Sequence, residues 1–285
     1  MDRLRTLPAP WAGAARATVK ALAKAERAAI VGLRRAVRGQ VDIALARLAV
    51  MPVNGPRDAA AAIVQQTGQR LASSLASRVE IVRREGRRAG TGRLIEEWRL
   101  VCRAIEQALG PQTLSDMVVS PDLDAEDRAR AAAAGQAYVA TWTIAALAAV
   151  SLNDATRSVG QRLSEATTAL DYRVVRIGTT ESAQAFNDAR DEGMGWVAER
   201  YGDERWFPAV LKRWDATLDA KVCPVCRDMN GSLALWGMPF KDGMRPGYVH
   251  PSDRCTPGIV FLPARIRGER IPGRQVDDER PREAA

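Results

Sequence analysis

The sequence contains a single histidine, His250, and only four cysteines among its 285 residues. A chain with one imidazole has few groups suited to proton transfer near neutral pH, so general acid–base catalysis is disfavoured. The sequence also lacks a Ser/His/Asp set, paired catalytic carboxylates and a glycine-rich phosphate-binding loop. Three of the four cysteines lie close together near the C-terminus, which suggests a reducing compartment rather than a disulfide scaffold. Together, these features predict a protein that is not an enzyme.

Long hydrophobic runs are also scarce. Residues 1–5 lead into no apolar core with a cleavage site, so we expect no signal peptide. Residues 131–153 contain no charged residue and are long enough to span a bilayer. They are mostly alanine and include glycine, glutamine and threonine, so their transfer into lipid is poor. We therefore expect a buried helix here, with a membrane segment as the alternative, and no membrane partner.

Positive charge is concentrated at the N-terminus. The chain has a net charge of +8, and residues 1–50 carry ten Lys or Arg residues against three acidic ones. Such a balance favours anionic partners, nucleic acid among them. Arg34, Arg35 and Arg38 lie largely off the apolar stripe of this region and are the expected contacts to nucleic acid or a protein partner. The alternative is a solvated charged face without a ligand.

The first two-thirds of the chain is rich in helix-forming residues. Apolar residues at near-helical spacing predict a helix from Val19 to Leu48. Prolines and Asn54 in residues 52–56 predict a break, followed by a second helix to about residue 84. Gly86, Gly90 and Gly92 then predict a flexible loop over residues 85–92, before a third helix over residues 93–109. A long helical region is expected from Ser120-Pro121-Asp122 to about residue 190, with a break near Asn153.

Composition changes after Gly193, where tryptophan, glycine and proline become frequent. Short strands are predicted at residues 212–218 and 259–262, with a turn at Asn230-Gly231. The predicted fold class is mainly α with a small α+β C-terminal domain. The predicted divisions are a basic helical region (1–110), a long-helix region (111–192), a small zinc-binding α+β domain (193–263) and a disordered tail (264–285).

Cys223, Cys226, His250 and Cys255 form the pattern C-x2-C-x23-H-x4-C. Two such Cys/His pairs can close a tetrahedron around one ion, so the pattern predicts a structural zinc site. A redox Cys-x-x-Cys pair and cysteines packed without a metal are the alternatives. A catalytic zinc is disfavoured because four protein ligands leave no open position. The remaining cysteine, Cys102, stands alone in a predicted helix and is expected to be a small buried hydrophobe.

Several short motifs of this region follow one another in a fixed order. They are Thr180-Glu181 with Ala185, Asn187 and Ala189, Trp214-Asp215-Ala216-Thr217-Leu218-Asp219, Val222-Cys223-Pro224-Val225-Cys226, Asn230-Gly231, Val249-His250-Pro251 and Arg254-Cys255. This series resembles the C-terminal signature of phage minor head proteins, the head-morphogenesis family of the phage Mu F type. The resemblance spans about residues 176–262, under a third of the chain.

The resemblance implies a structural, non-enzymatic minor head protein of a tailed phage or prophage. Its expected partners are portal, capsid or scaffold proteins, with non-specific contact to packaged DNA as a further expectation. The expected location is the capsid interior or portal vertex of the virion, after assembly in the bacterial host cytoplasm. A zinc-ribbon protein that binds nucleic acid through the basic N-terminus is the alternative. A hydrolase or toxin module is a third hypothesis, but the segment after the signature is too short to hold one.

Two residues need separate comment. Family members commonly read His-Pro-x-Cys-Arg-Cys, whereas Asp253 stands at the position of the first of these cysteines. Asp253 could replace it as an oxygen ligand, but we favour Cys255 because sulfur suits zinc better than oxygen. Glu181 is expected to form a structural ion pair between its helix and the metal-binding segment, and Arg254 is the partner that we predict.

Overall fold

A computed structural model describes residues 9–51, 57–112, 114–117, 119–120, 122–152, 157–216 and 222–262. The described helices are α1 (Ala9–Ala49), α2 (Arg57–Leu109), α3 (Ala125–Ser151), α4 (Val159–Ala169), α5 (Asp171–Tyr201) and the short α6 (Pro224–Met229). The described strands are β1 (Val210–Asp215), β2 (Leu233–Leu235) and β3 (Thr256–Phe261). The fold class predicted from the sequence, mainly α with a small α+β part at the C-terminal end, is confirmed.

The apolar stripe of α1 packs against α2, and α3, α4 and the start of α5 complete this core. Leu33 in α1, Leu71 and Val79 in α2, and Trp142 in α3 are almost fully buried. Burying each such side chain contributes about 1.5–3 kcal/mol, so this interface holds the bundle together. The indole of Trp142 also donates a 3.0 Å hydrogen bond to the Thr167 hydroxyl, which fixes α4 on α3.

Helix α2 is continuous through the segment where the sequence predicted a loop, so that prediction is wrong. Gly86 and Gly90 do not loosen the chain here, because they lie against the backbone of α5. A Cβ atom at Gly90 would stand 2.2 Å from the carbonyl oxygen of Phe186, closer than any real contact. The glycines therefore let two long helices cross at close range. Gly92 has no atom within 4 Å of such a Cβ position.

Helix α3 contains the uncharged segment, and it is buried on one side only. Gly135, Tyr138, Trp142 and Ala146 lie in the interface with α2 and α4, whereas Ile144 on the opposite side is 72% exposed. Among the described residues, α3 is the one helix long and apolar enough to cross a membrane, and a core helix can have the same length and composition. The helix begins at Ala125 rather than near Ser120, with Asp124 as its N-cap.

The three strands form an antiparallel sheet in the order β2-β1-β3. Strands β1 and β3 begin and end one to three residues earlier than the sequence predicted. Strand β2 follows the predicted Asn230-Gly231 turn. That turn is closed by the Asn230 side chain, which accepts a hydrogen bond from the backbone of Ala216 at 3.0 Å. Gly231 adopts a φ of 80°, a conformation that favours glycine.

A second core joins the sheet to α2 and α5. The ring of Trp98 in α2 lies 5.8 Å from Tyr201 of α5 and 5.8 Å from Trp236, which follows β2. Since α5 runs from residue 171 to residue 201, the predicted division between residues 192 and 193 falls inside one helix. The predicted break at residues 52–56, the break near Asn153 and the tail over residues 264–285 lie outside the described residues.

Candidate metal centre

The three cysteines and the histidine of the C-x2-C-x23-H-x4-C pattern converge after the first strand. The ligand atoms of Cys223, Cys226 and His250 lie within 4.8 Å of one another, and so do those of Cys226, Asp253 and Cys255. Cys226 belongs to both groups and is therefore the centre of the cluster. Its sulfur lies 3.6 Å from Nε2 of His250. These groups are close enough to hold a metal ion.

The first two cysteines are placed by the start of α6. Cys223 is the N-cap of this helix, and its sulfur accepts a hydrogen bond from the Cys226 backbone N–H at 3.2 Å. Pro224 occupies the first helical position, where its missing N–H costs nothing and its fixed φ suits the helix. The tight turn therefore points two sulfurs to the same side.

The imidazole of His250 is oriented by its own loop. Its Nδ1 atom lies 2.9 Å from the carbonyl oxygen of Pro251. A carbonyl oxygen can only accept, so Nδ1 carries the proton and Nε2 keeps its lone pair. Nε2 is the atom that faces Cys226. A backbone carbonyl that fixes the tautomer in this way is the usual outer partner of a metal-binding histidine.

Asp253 organises the loop between His250 and Cys255. Its carboxylate is buried and accepts backbone hydrogen bonds from Gly247 at 2.8 Å, Val249 at 3.3 Å and Cys255 at 2.9 Å. Its Oδ1 atom also lies 3.7 Å from the sulfur of Cys226. The aspartate thus holds the backbone of the loop while standing next to the sulfur cluster.

The sulfur cluster favours a thiolate at its centre. A hydrogen bond from the Cys255 thiol lowers the pKa of Cys226 to about 7, against an opposing effect of burial. The same contact, together with burial, raises the pKa of Cys255, so the proton stays on that sulfur when no metal competes for it. Thiolates are the form of cysteine that binds metals, so Cys226 is prepared for this role.

Side chains of α5 form hydrogen bonds to the backbone of residues 252–257. The sequence predicted none of these contacts. Thr180 accepts a hydrogen bond from the Ser252 N–H at 2.9 Å, and Asn187 donates one to the Cys255 carbonyl at 2.8 Å. Arg190, which is fully buried, donates to the carbonyl of Pro257 at 2.9 Å. Thr180 and Asn187 belong to the motif series described above. In the structure, both residues hold the backbone of the loop that carries His250 and Cys255.

Tyr248 fastens the other side of the loop to the bundle. Its hydroxyl donates to Asp188 at 2.5 Å and accepts from Arg130 at 2.8 Å. The guanidinium groups of Arg130 and Arg245 lie 5.5 Å and 5.0 Å from the centre of its ring. Such cation–π contacts stabilise by about 0.5–2 kcal/mol each. Sequence analysis missed Tyr248, because its partners lie on α3 and α5, far along the chain.

Glu181 forms an ion pair, but its partner is Arg83 rather than the predicted Arg254. The two side chains lie 2.7 Å apart, and Arg83 is fully buried among Glu181, Asp127 and Asp188. Burial raises the pKa of Glu181, and the charge of Arg83 opposes this rise. The prediction failed because Arg83 lies in the segment that was taken for the end of a helix before a loop.

We expect the Glu181→Ala substitution to lower the free energy of unfolding by about 2 kcal/mol, since the fully buried Arg83 loses one of its acceptors and keeps Asp127 and Asp188. Chemical denaturation monitored by circular dichroism measures this loss. The exposed Glu126 supplies a matched control, because Glu126→Ala removes a surface ion pair and should change stability by less than about 1 kcal/mol. Equal stability of the Glu181→Ala variant and the unmodified chain would contradict a structural role for the pair.

Glu26 of α1 is a buried carboxylate near Arg254, which lies in the loop from Gly247 to Cys255, called here the metal-binding loop. Its Oε1 atom has no hydrogen-bond partner among the described residues, and burial raises the pKa of Glu26 to about 7 against the charges of Arg254 and Arg27. The folded chain therefore holds this proton more tightly than the unfolded chain. Folding stability must fall as pH rises from about 4.5 to about 7.

The Glu26→Gln substitution should remove that pH dependence. Relative to the unmodified chain, the variant should gain about 3 kcal/mol of unfolding free energy between pH 4.5 and pH 8. Denaturation at several pH values measures the difference, and Asp42→Asn on an exposed position of the same helix controls for charge removal. A difference that does not grow with pH would show that Glu26 stays ionised throughout.

The arginines singled out on α1 do not share one environment. Arg34 pairs with Asp171 through Nε at 2.8 Å, with a second bond from its Nη2 atom, so it belongs to the contact between α1 and α5. Its side chain remains 40% exposed, so its assignment as a contact to nucleic acid or a protein partner stays a prediction. Arg35 and Arg38 are exposed, as the apolar stripe predicted.

The cluster has the donor set of a metal site, with two further cysteines, one imidazole and the Asp253 carboxylate around the sulfur of Cys226. Comparisons of the chain with protein-family models, with curated proteins and with solved structures find no match.

Proposed function

We propose that the cluster binds one zinc ion through Cys223, Cys226, His250 and Cys255, and that the ion is structural. In a tetrahedral zinc site with bonds of about 2.3 Å, ligand atoms stand about 3.8 Å apart. The 3.6 Å separation between Cys226 and His250 fits this spacing. The observation that carries the proposal is the imidazole itself, which is held at Nδ1 by a carbonyl and presents Nε2 to the sulfurs.

Asp253 is assigned to the support of the site rather than to its ligands. Both of its oxygens already accept backbone hydrogen bonds, from Cys255 on one side and from Gly247 and Val249 on the other. Cys255 offers a sulfur, which zinc prefers to a carboxylate oxygen in a site of this kind. Four protein ligands then fill the coordination shell, so the ion has no open position for water or substrate.

We further propose that the protein is a minor head protein of a tailed phage or prophage, and that it acts as a structural component in head assembly. The support is the resemblance of its motif series together with the place of those motifs in the fold. Thr180 and Asn187 contact the very loop that carries His250 and Cys255. The motifs therefore serve one purpose, a rigid junction between a long helix and a metal-stapled loop.

A non-enzymatic role agrees with the state of the acidic groups. Glu181 and Asp188 of α5 are both occupied, by Arg83 in each case and also by Tyr248 for Asp188. In the proposed role, the junction supplies stiffness and the helices supply contact surface for portal, capsid or scaffold proteins.

Co-expression with the portal protein encoded in the same genome tests this role. We expect the full chain to co-purify with the portal, and the particle to contain the chain when it is analysed by mass spectrometry. Absence from purified particles, or a hydrolytic turnover that Glu181→Gln abolishes at unchanged stability, would contradict the proposal.

A further inference from the structure

The solvent side of α1 carries a row of six exposed cations, called here the basic track. Its members are Arg16, Lys20, Lys24, Arg27, Arg35 and Arg38. At 1.5 Å per residue the track is about 33 Å long. Residues 16–38 contain one acid, Glu26, and that side chain is buried on the other face.

The fold fixes the direction in which the track faces. Leu22, Ala29 and Leu33 anchor the opposite face of α1 in the interior, so the helix cannot rotate its cations inward. Lys20, Lys24 and Arg35 form no ion pair with any described residue, unlike Arg34. Their charges are thus available to a partner.

A groove between α1 and α2 extends the track at its N-terminal end. It has a volume of about 380 Å³, and its α1 wall consists of Gly13, Ala14 and Ala17. Arg93, Arg99 and Arg103 of α2 line the other wall, with Glu96 as the acid among them. Glu96 pairs with Arg93, which leaves two arginines facing small residues. Gly13, Ala17, Lys20 and Lys24 follow helical spacing, so groove and track share one face of α1.

We propose that the basic track and this groove bind the phosphodiester backbone of duplex DNA. The length of the track is close to one turn of B-form DNA, about 34 Å, and cations spaced by one helical turn suit a row of phosphates. An acidic protein surface fits less well, because protein interfaces centre on apolar and aromatic side chains. Among residues 16–38, Val31 is the large exposed apolar side chain, and no aromatic residue is present.

Recognition of this kind reads charge and not base sequence, since contacts to the phosphate backbone carry no sequence information. Contact between α1 and DNA goes beyond the proposed role in head assembly, in which the helices supply surface for protein partners. The two can fail separately, because DNA binding by the purified chain requires neither portal nor capsid.

Fluorescence anisotropy of a labelled 30-base-pair duplex, titrated with the full chain from 25 to 200 mM salt, tests the inference. We expect the logarithm of the binding constant to fall linearly with the logarithm of the salt concentration. Replacing Lys20, Lys24 and Arg35 with glutamine should flatten that slope by up to about 2.7, or about 0.9 for each phosphate contact removed.

A charge-matched control replaces Arg128, Arg205 and Arg227 with glutamine, which removes three exposed cations outside the track. This variant should keep the slope of the unmodified chain, and a duplex of scrambled sequence should bind equally well. Three results would overturn the inference: no binding at 25 mM salt, equal slopes for the two triple variants, or marked preference for one sequence. The first result combined with co-purification of the portal would assign the track to a protein partner.

Discussion

Replacing Cys226 with serine is expected to unfold the metal-binding segment, residues 222–255, while the helices stay folded. Cys226 belongs to both groups of candidate ligands, so its loss removes the sulfur that links Cys223 and His250 to Cys255. Structural zinc contributes on the order of 10 kcal/mol in small domains, so we expect the segment that carries the ligands to depend on the ion. The helices have their own core around Leu71 and Trp142 and do not depend on the ion.

Metal analysis and hydrogen exchange together measure this effect. The unmodified chain should carry about one zinc ion, and the Cys226→Ser variant none. The backbone amides of Gly247, Val249 and Cys255, now held by Asp253, should exchange rapidly in the variant, whereas amides of α2 and α3 should remain protected.

Cys102→Ala is the matched control, because Cys102 is the one cysteine far from the cluster. It lies in α2, where burial raises its pKa to about 11, so it is a thiol and no metal ligand. This variant should retain full zinc content and lose at most about 1 kcal/mol of stability. Protein that is prepared without chelator and contains no zinc would refute the assignment of the ion.

Substituting alanine for Gly90 should destabilise the fold by at least about 4 kcal/mol, above the usual range for an extra methyl group. The new Cβ would meet the carbonyl oxygen of Phe186 at 2.2 Å and its carbonyl carbon at 3.0 Å. Both atoms belong to the backbone, so no change of rotamer relieves the clash. Helix α5 must move away from α2, and Phe186 then loses its packing.

The measurement is the free energy of unfolding from chemical denaturation, with Gly92→Ala as the control in the same helix. A Cβ at Gly92 meets no atom within 4 Å, so alanine should stabilise α2 there by about 0.5–1 kcal/mol. Opposite signs for two glycines one helical half-turn apart would establish the close crossing. If both substitutions stabilised the chain, the two helices would not approach at Gly90.

The sequence was most informative where chemistry restricts residue type. Structural zinc sites are built mainly from cysteine and histidine, so the pattern from Cys223 to Cys255 predicted a cluster able to hold a metal before its geometry was known. The apolar stripe from Val19 to Leu48 likewise predicted most of α1, because a helix that packs on one side must repeat its apolar residues every turn. The helix itself begins ten residues earlier, at Ala9.

Long-range partners could not be predicted in the same way. Gly86, Gly90 and Gly92 predicted a loop because glycine weakens an isolated helix. At Gly86 and Gly90, however, the absence of a side chain allows α2 and α5 to pack closely, and this packing outweighs the low helix propensity of glycine. Glu181 was given the wrong partner for a related reason. Arg83 precedes it by 98 positions, and nothing local marks the two as neighbours.

Helix α5 has a consequence for how this protein can be dissected or exchanged. The first half of α5 closes the helical core through Val174, and its second half reaches the aromatic core through Met194 and Tyr201. Residues between them, Thr180 and Asn187, hold the metal-binding loop. A fragment cut at residue 193 would leave that loop without its supports and expose two apolar faces. We therefore expect that residues 222–262 cannot be transferred to another protein on their own. A chimaera must also include α5 and the part of α2 that packs against it.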